Sequence, residues 1–283
     1  MNSIIYELQR TFRSRFVLVM VVLILLASSL VAYAVATQSP SVSPIRRVID
    51  IVSLSGLLGD IFGIAIPILA VFMAYLTYGK DKTGGVLESV LARPVTRGGL
   101  LMSRFLGNTI AILIAVAASI LIFDAGVYSY YAKGLPLGNI AGLIWTYLVE
   151  GSAFIGLVYL FSQLMRSQTA VLGISIALFL VFVLFWNTIT SIVLLEVFHE
   201  GLASLASLQG TVISDFISPA GYGRNVTLYL GKQFTGLSTA GTIENISVDP
   251  ASYGVTLGTL LAGGVAWMVL PIVGAYFSAR KFD

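Results

Sequence analysis

Six stretches of this chain are long and apolar enough to cross a bilayer. A helix needs about 20 mainly apolar residues to span roughly 30 Å of hydrocarbon. Phe16 to Ala36, Ile61 to Gly79 and Phe105 to Phe123 carry no charge, and Gly134 to Met165 carries only Glu150. Ser167 to Leu195 and Pro250 to Ala279 are uncharged and exceed what a straight crossing requires, so tilt or a bend, for instance at Pro271, is expected. The reading is an all-α polytopic membrane protein in one transmembrane domain, residues 1–283, with spans near 16–36, 57–78, 105–127, 140–163, 169–195 and 254–277.

Composition agrees and excludes several chemistries. Hydrophobic residues make up 57% of the chain and charged ones 10%, against about 25% charged in soluble domains. Cysteine is absent and His199 is the single histidine, which removes thiolate nucleophiles, disulfides and a histidine-rich metal site. Glu196 and Glu200 flank His199, but with no second histidine no metal is expected there. The net charge of +3 is explained by loops that retain basic residues rather than by a nucleic-acid partner.

An even number of spans puts both termini on one side. That side holds Arg10, Arg13, Arg15, Lys80, Lys82, Arg93, Arg97, Arg104, Arg166, Arg280 and Lys281, against Arg46, Arg47, Lys133, Arg224 and Lys232 opposite. Of the acids only Glu7, Asp81, Glu88 and Asp283 lie on the basic side. Basic loop residues mark the cytoplasmic face, so both ends and the 79–104 segment are expected in the cytoplasm of a multi-pass cell-membrane protein. The first span is too long for a signal-peptide core of about 7–15 residues.

Three segments between spans have character of their own. Residues 3–14 place Ile4, Ile5, Leu8 and Phe12 on one helical face, with Glu7, Arg10 and Arg13 turned away, as in a helix lying in the membrane surface. Ile45 to Leu58 suggests a short helix on the outer surface. The 196–253 stretch is expected as an extracellular loop: Gly201 to Ile217 is half apolar and suits a re-entrant or interfacial helix, and the Gly, Ser and Thr-rich remainder suits an exposed loop or small cap. Two glycosylation acceptor patterns, at Asn225 and Asn245, fall in this remainder.

The segment richest in functional signal joins the second and third spans. Val86 to Ala92 makes two turns with Val86, Leu87, Val90 and Leu91 on an apolar side and Glu88 elsewhere. Pro94 disfavours helix at Arg93 and makes a corner, after which Thr96 can cap a new helix into the third span. The expected product is a short surface helix, a sharp turn and a long helix, a shape that can carry a push from a soluble partner into the bundle.

The run Gly85-Val86-Leu87-Glu88-Ser89-Val90-Leu91-Ala92-Arg93-Pro94-Val95-Thr96-Arg97 resembles the corresponding segment of the type-2 permeases of ATP-binding-cassette transporters, the export permeases. The resemblance extends to the N-terminal surface helix, the six-span plan and the Phe277-Ser278-Ala279-Arg280-Lys281-Phe282 terminus. It implies a coupling segment (Val86, Leu87, Glu88, Ser89, Arg93, Pro94 and Arg97) that seats on a separate ATPase subunit. It implies that ATP and Mg belong to that partner, with no cofactor on this chain, and that two permease copies in a lipid bilayer share one path by alternating access. The chain's own residues agree, since the phosphate-loop pattern is absent: Gly79-Lys80 and Gly231-Lys232 lack both the upstream glycine and the following hydroxyl. The cargo suggested by so few intramembrane charges is lipid-like, amphipathic or peptide-like.

Two intramembrane polar residues stand out. Glu150, near the middle of the fourth span, is read either as part of a translocation path or as a structural acid bonded to a neighbouring span. Asn187, toward the outer end of the fifth, is read as lining an outer gate or bonding between helices. The pairs Gly59/Gly63, Gly138/Gly142 and Gly254/Gly258 are expected where helices approach closely. A secondary transporter would show inverted repeats and more midplane acids, and an intramembrane enzyme would need a nucleophile with its base or metal ligands. These remain the rival readings.

Overall fold

A computed structural model describes residues 3–37, 59, 61–85, 96–132, 134–197, 205–231, 233–237, 243–247 and 249–280. Helix α1, Ser3–Arg13, is amphipathic. The chain turns at Ser14, whose N–H donates to Thr11 O at 3.1 Å, and enters α2, Arg15–Thr37. Helix α3, Ile61–Thr83, widens to π geometry over Tyr75–Gly79. Helix α4, Arg97–Tyr131, begins at Thr96, whose Oγ1 accepts from the Gly99 N–H at 3.2 Å, the cap expected from the sequence. It ends at Ala132 with φ 52°. Asp124 Oδ1 then accepts from the Leu135 N–H at 2.6 Å and closes the turn into α5, Leu137–Leu164.

Ser167 caps α6, Gln168–Glu196, through the Ala170 N–H at 3.1 Å. This helix also carries π stretches, at Leu180–Phe185 and Val193–Val197. Two shorter helices follow, α7 (Leu205–Ile217) and α8 (Tyr222–Gly231), then an antiparallel pair, β1 (Gln233–Leu237) and β2 (Ile243–Ser247). A 3-10 turn, Pro250–Tyr253, precedes the last helix, α9, Leu257–Arg280. Among the described residues, helices α2, α3, α4, α5, α6 and α9 are the six long enough and apolar enough to span a membrane.

Helix α5 is the hub and contacts α3, α4, α6, α8 and α9. Its apolar window is 67% buried, against 17% for α6 and 28% for α2. The last two therefore present most of their surface, including Leu18, Leu23, Leu184 and Phe185, away from the chain's own core. The expected glycine pairs divide: a Cβ on Gly142 would lie 2.5 Å from Leu230 Cδ1 and one on Gly59 3.3 Å from Tyr147 Oη, whereas on Gly63 or Gly138 it would meet nothing within 4 Å, and Gly156, outside the pairs, would bring one 2.9 Å from Pro271 Cβ. The reason is rotational. Which glycine meets a neighbouring helix depends on how each helix is turned, and spacing along one helix does not fix that.

Two boundaries differ from the sequence expectation. Helix α3 runs to Thr83 and α4 starts at Arg97, so helix covers both ends of the expected 79–104 segment and leaves 84–96 between them. A hydropathy window stops at the first charge, but Arg104 has partners inside the protein, so helix and burial continue past it. The described residues of the 196–253 stretch include two helices, the first within the expected re-entrant or interfacial portion. Leu208, Val212, Tyr222, Val226 and Leu228 pack with Val149, Val255 and Leu260 in a second core that seats α7 and α8 on the bundle.

Candidate functional site

A knot of charged and polar side chains sits at the N-terminal side of the bundle, at the root of the 84–96 connection. Arg104 on α4 is 2% exposed. Its guanidinium reaches Asp81 at the end of α3 at 3.0 Å and Glu7 on α1 at 3.6 Å, and Nη1 donates to Thr77 O at 2.5 Å. Arg10 donates to the same Asp81 carboxylate at 2.6 Å and lies 3.6 Å from Glu7. Two arginines and two acids thus bind α1, α3 and α4 together. A buried charge is tolerated when paired and hydrogen-bonded, and here each pairing crosses between elements or turns of helix.

Asn108, one turn beyond Arg104, extends the knot inward. Its Nδ2 donates to Thr77 Oγ1 at 2.8 Å and to Tyr159 Oη at 2.9 Å, and its Oδ1 accepts from Thr11 Oγ1 at 2.9 Å. Tyr159 belongs to α5 and stacks on Tyr78 with ring centroids 4.6 Å apart. Gln163 donates to Tyr78 Oη at 2.5 Å, and Lys82 Nζ donates to Ser162 O. Thr77 and Tyr78 lie in the π stretch of α3, a local irregularity that often marks functional positions. The network therefore runs from the surface helix to the hub helix.

The opposite side carries a second polar cluster. Asp215 on α7 is buried and accepts from Arg224 Nε at 2.9 Å, with Nη2 of the same guanidinium on its other oxygen. Burial pushes the Asp215 carboxyl above its ordinary range, and Arg224 opposes that shift. Arg224 Nη1 also donates to Asn187 Oδ1, so Asn187 ties α6 to α8. Trp145 Nε1 donates to Tyr222 Oη at 2.7 Å, which in turn donates to Leu260 O at 2.7 Å. Between the clusters lies Glu150, 2% exposed, whose Oε1 has no hydrogen-bond partner.

A family model described as ABC-2 family transporter protein matches residues 1–283. This chain belongs to the ABC-2 transporter family. It is similar to a probable ABC transporter permease protein NosY of Pseudomonas aeruginosa, 28% identical over 190 residues, covering 64% of this chain and 66% of the relative, just under two thirds. It is also similar to the probable ABC transporter permease protein NosY of Stutzerimonas stutzeri, 21% identical over 219 residues, covering 76% and 75%. Both relatives are thus named as permease proteins of ABC transporters, and this chain shares their transporter family.

Within this ABC-2 chain the expected site residues are spread widely. Val86, Leu87, Glu88, Ser89, Arg93 and Pro94 lie outside the described residues, and Arg97 opens α4. Glu150 and Asn187 lie on different helices and their side chains are not bonded to each other. Asn225 corrects the expectation of an exposed acceptor: it is 1% exposed and its Nδ2 donates to Val212 O at 3.0 Å, which leaves no room for a glycan. Asn245 lies in β2. The knot itself was missed from sequence. Glu7, Asp81 and Arg104 entered only the count of charges on the cytoplasmic side, and the available signal was that Arg104 and Asn108, four apart, share one face of a helix with the apolar Leu100 and Leu101 beside them.

Proposed function

We propose that this ABC-2 subunit is the permease of an ATP-driven exporter, in which the 84–96 connection receives the movement of the ATPase and the Arg104–Asp81–Glu7–Arg10 knot passes it to the bundle. The observation that carries the reading is the position of the knot. It joins both helices that flank the connection to the surface helix α1, and through Asn108 and Tyr159 to the hub helix α5. A push on the connection then moves α3 and α4 as one body and reaches α5 directly. ATP and Mg are held by the partner, and a ligand there can bias two states of this chain only through such a contact. Alternating access of an amphipathic, hydrophobic or peptide-like cargo follows. The sparsely buried α2 and α6 supply the faces for a second permease copy and for lipid.

The test is Glu88→Arg. If Glu88 meets the ATPase, charge reversal should cut co-purification of the two subunits at least tenfold, on the order of 2 kcal/mol or more for a truncated or reversed interfacial charge, while the chain still inserts. Undiminished recruitment and transport by both Glu88→Arg and Pro94→Ala would reject the coupling role.

Orientation has its own experiment. A cysteine placed at the exposed Thr227 of α8 should react with an impermeant maleimide on intact cells, and one at Ser89 should react only after lysis. The reverse pattern would turn the molecule over and put the knot on the outer side.

A further inference from the structure

We infer that Glu150 and the aromatic group formed by Phe154, Phe182, Trp186 and Trp267 make a binding site for a hydrophobic organic cation, an amine or a quaternary onium ion, inside the bundle; this deepens the transport reading above by naming a cargo class. Glu150 is 13 residues from one end of α5 and 14 from the other, which at about 1.5 Å per residue puts it roughly 20 Å from each end. Residues four apart share a helix face, so Thr146, Glu150 and Phe154 form one stripe. Both ends of that stripe are located by contacts. A Cβ on Gly223 of α8 would meet Thr146 Cγ2 at 2.8 Å, and the Phe154 ring lies 6.5 Å from that of Phe182 on α6. Glu150 therefore faces the wedge between α6 and α8, away from Gly151, where a Cβ would meet Ile112 and Ile66.

The far wall of that wedge is aromatic. Phe182 has its centroid 5.4 Å from Trp186 and 6.3 Å from Trp267. Both indole N–H groups are held from outside, Trp186 by Ser214 O at 3.2 Å and Trp267 by Phe216 O at 2.9 Å. The rings are thereby pinned at their polar edges to α7, with Phe182 between them. Tryptophan faces attract cations within about 6 Å, most strongly when water is excluded.

The carboxylate supplies the complementary charge. A buried carboxylate needs a cation or hydrogen-bond donors beside it, and Glu150 Oε1 has no partner. Arg224 is the charged group whose field reaches Glu150, but its guanidinium is engaged by Asp215 and Asn187. A monovalent cation with apolar substituents satisfies the acid and the rings together. An anionic or neutral cargo of the same size satisfies only the rings.

Equilibrium dialysis of tetraphenylphosphonium against the purified full-length chain tests this without the ATPase. Saturable binding is expected. It should weaken at least tenfold in Glu150→Gln and severalfold in Trp186→Leu, and Glu150→Asp should retain part of it. If Glu150→Gln fails to give folded protein, Glu150→Asp and Trp186→Leu carry the decision. Non-saturable uptake, equal binding of the anionic isostere tetraphenylborate, or undiminished binding by both Glu150→Gln and Trp186→Leu would overturn the site. Because the ATPase is absent from this measurement, failure of Glu88→Arg to uncouple would leave a positive binding result standing, and the converse also holds.

Discussion

Arg104→Met is expected to lower the apparent melting temperature of the detergent-purified protein sharply and to abolish its stimulation of the ATPase partner. The substitution keeps length and apolar volume but deletes the charge that faces both Asp81, at 3.0 Å, and Glu7, at 3.6 Å. Arg10 remains on Asp81 but is itself one-third exposed, so it cannot satisfy both the buried Glu7 and the half-buried Asp81. Removing one partner of a buried ion pair typically costs about 3–5 kcal/mol, because the remaining charge is left without compensation. Thr77 O also loses its donor. Arg104→Lys should recover only part of the loss, since an ammonium cannot present the planar fork that reaches Asp81 and Thr77 O at once.

The decisive comparison is the double variant Arg104→Met with Asp81→Asn. If the two residues act in one network, the double should cost less than the two singles combined, with an interaction energy of about 0.5–3 kcal/mol. Strict additivity, or a wild-type melting temperature for Arg104→Met, would show that the knot holds nothing together. ATPase stimulation retained at full strength in a destabilised Arg104→Met would separate the structural role from the transmission role and leave only the first.

Gly264→Val is expected to be the second large effect, on the opposite side. A Cβ there would lie 2.7 Å from Trp145 Cζ2, 2.9 Å from Tyr222 Oη and 3.0 Å from Val149 Cγ2. None of the three can move cheaply. Tyr222 Oη is bonded to both Trp145 Nε1 and Leu260 O, and Val149 is fully buried on the hub helix. Overpacking a dense core costs roughly 1–3 kcal/mol, and each displaced hydrogen bond adds about 1 kcal/mol, so about 3 kcal/mol in all is expected. The measurable consequence is release of the α7–α8 cap. Limited proteolysis within residues 205–231 should accelerate at least tenfold, with cleavage in α1 unchanged. A cap as resistant as in the parent would mean that α8 is held by the Asp215–Arg224–Asn187 cluster instead, and that Gly264 is a bystander.

How much of this was legible beforehand differs by region. The spans were readable because a bilayer imposes one length and one composition on any crossing helix, so Phe16 to Ala36 or Ser167 to Leu195 announces itself without reference to any other segment. The Thr96 cap was readable for a similar reason, since a hydroxyl satisfying an N–H three residues on is a local event. Arg97 to Arg104 misled, because charge in a sequence window reads as solvation whether or not a partner waits elsewhere. Asn225 misled in the same way: the acceptor pattern is three residues long, but its burial depends on Val212, on another helix.

Local chemistry along the chain, then, determined the membrane class, the six spans, the surface helix and the family resemblance in Gly85 to Arg97, because each depends on residues within a turn or a span of one another. The tertiary structure alone decided that Glu7, Arg10, Asp81 and Arg104 form one knot, that Asn187 bonds to Arg224, that α7 and α8 form a cap on α5 and α9, and that Glu150 is buried with one oxygen unpartnered. Those arrangements depend on how each helix is rotated about its axis against its neighbours. That rotation is set by the summed packing of many distant side chains, and no spacing along a single helix encodes it.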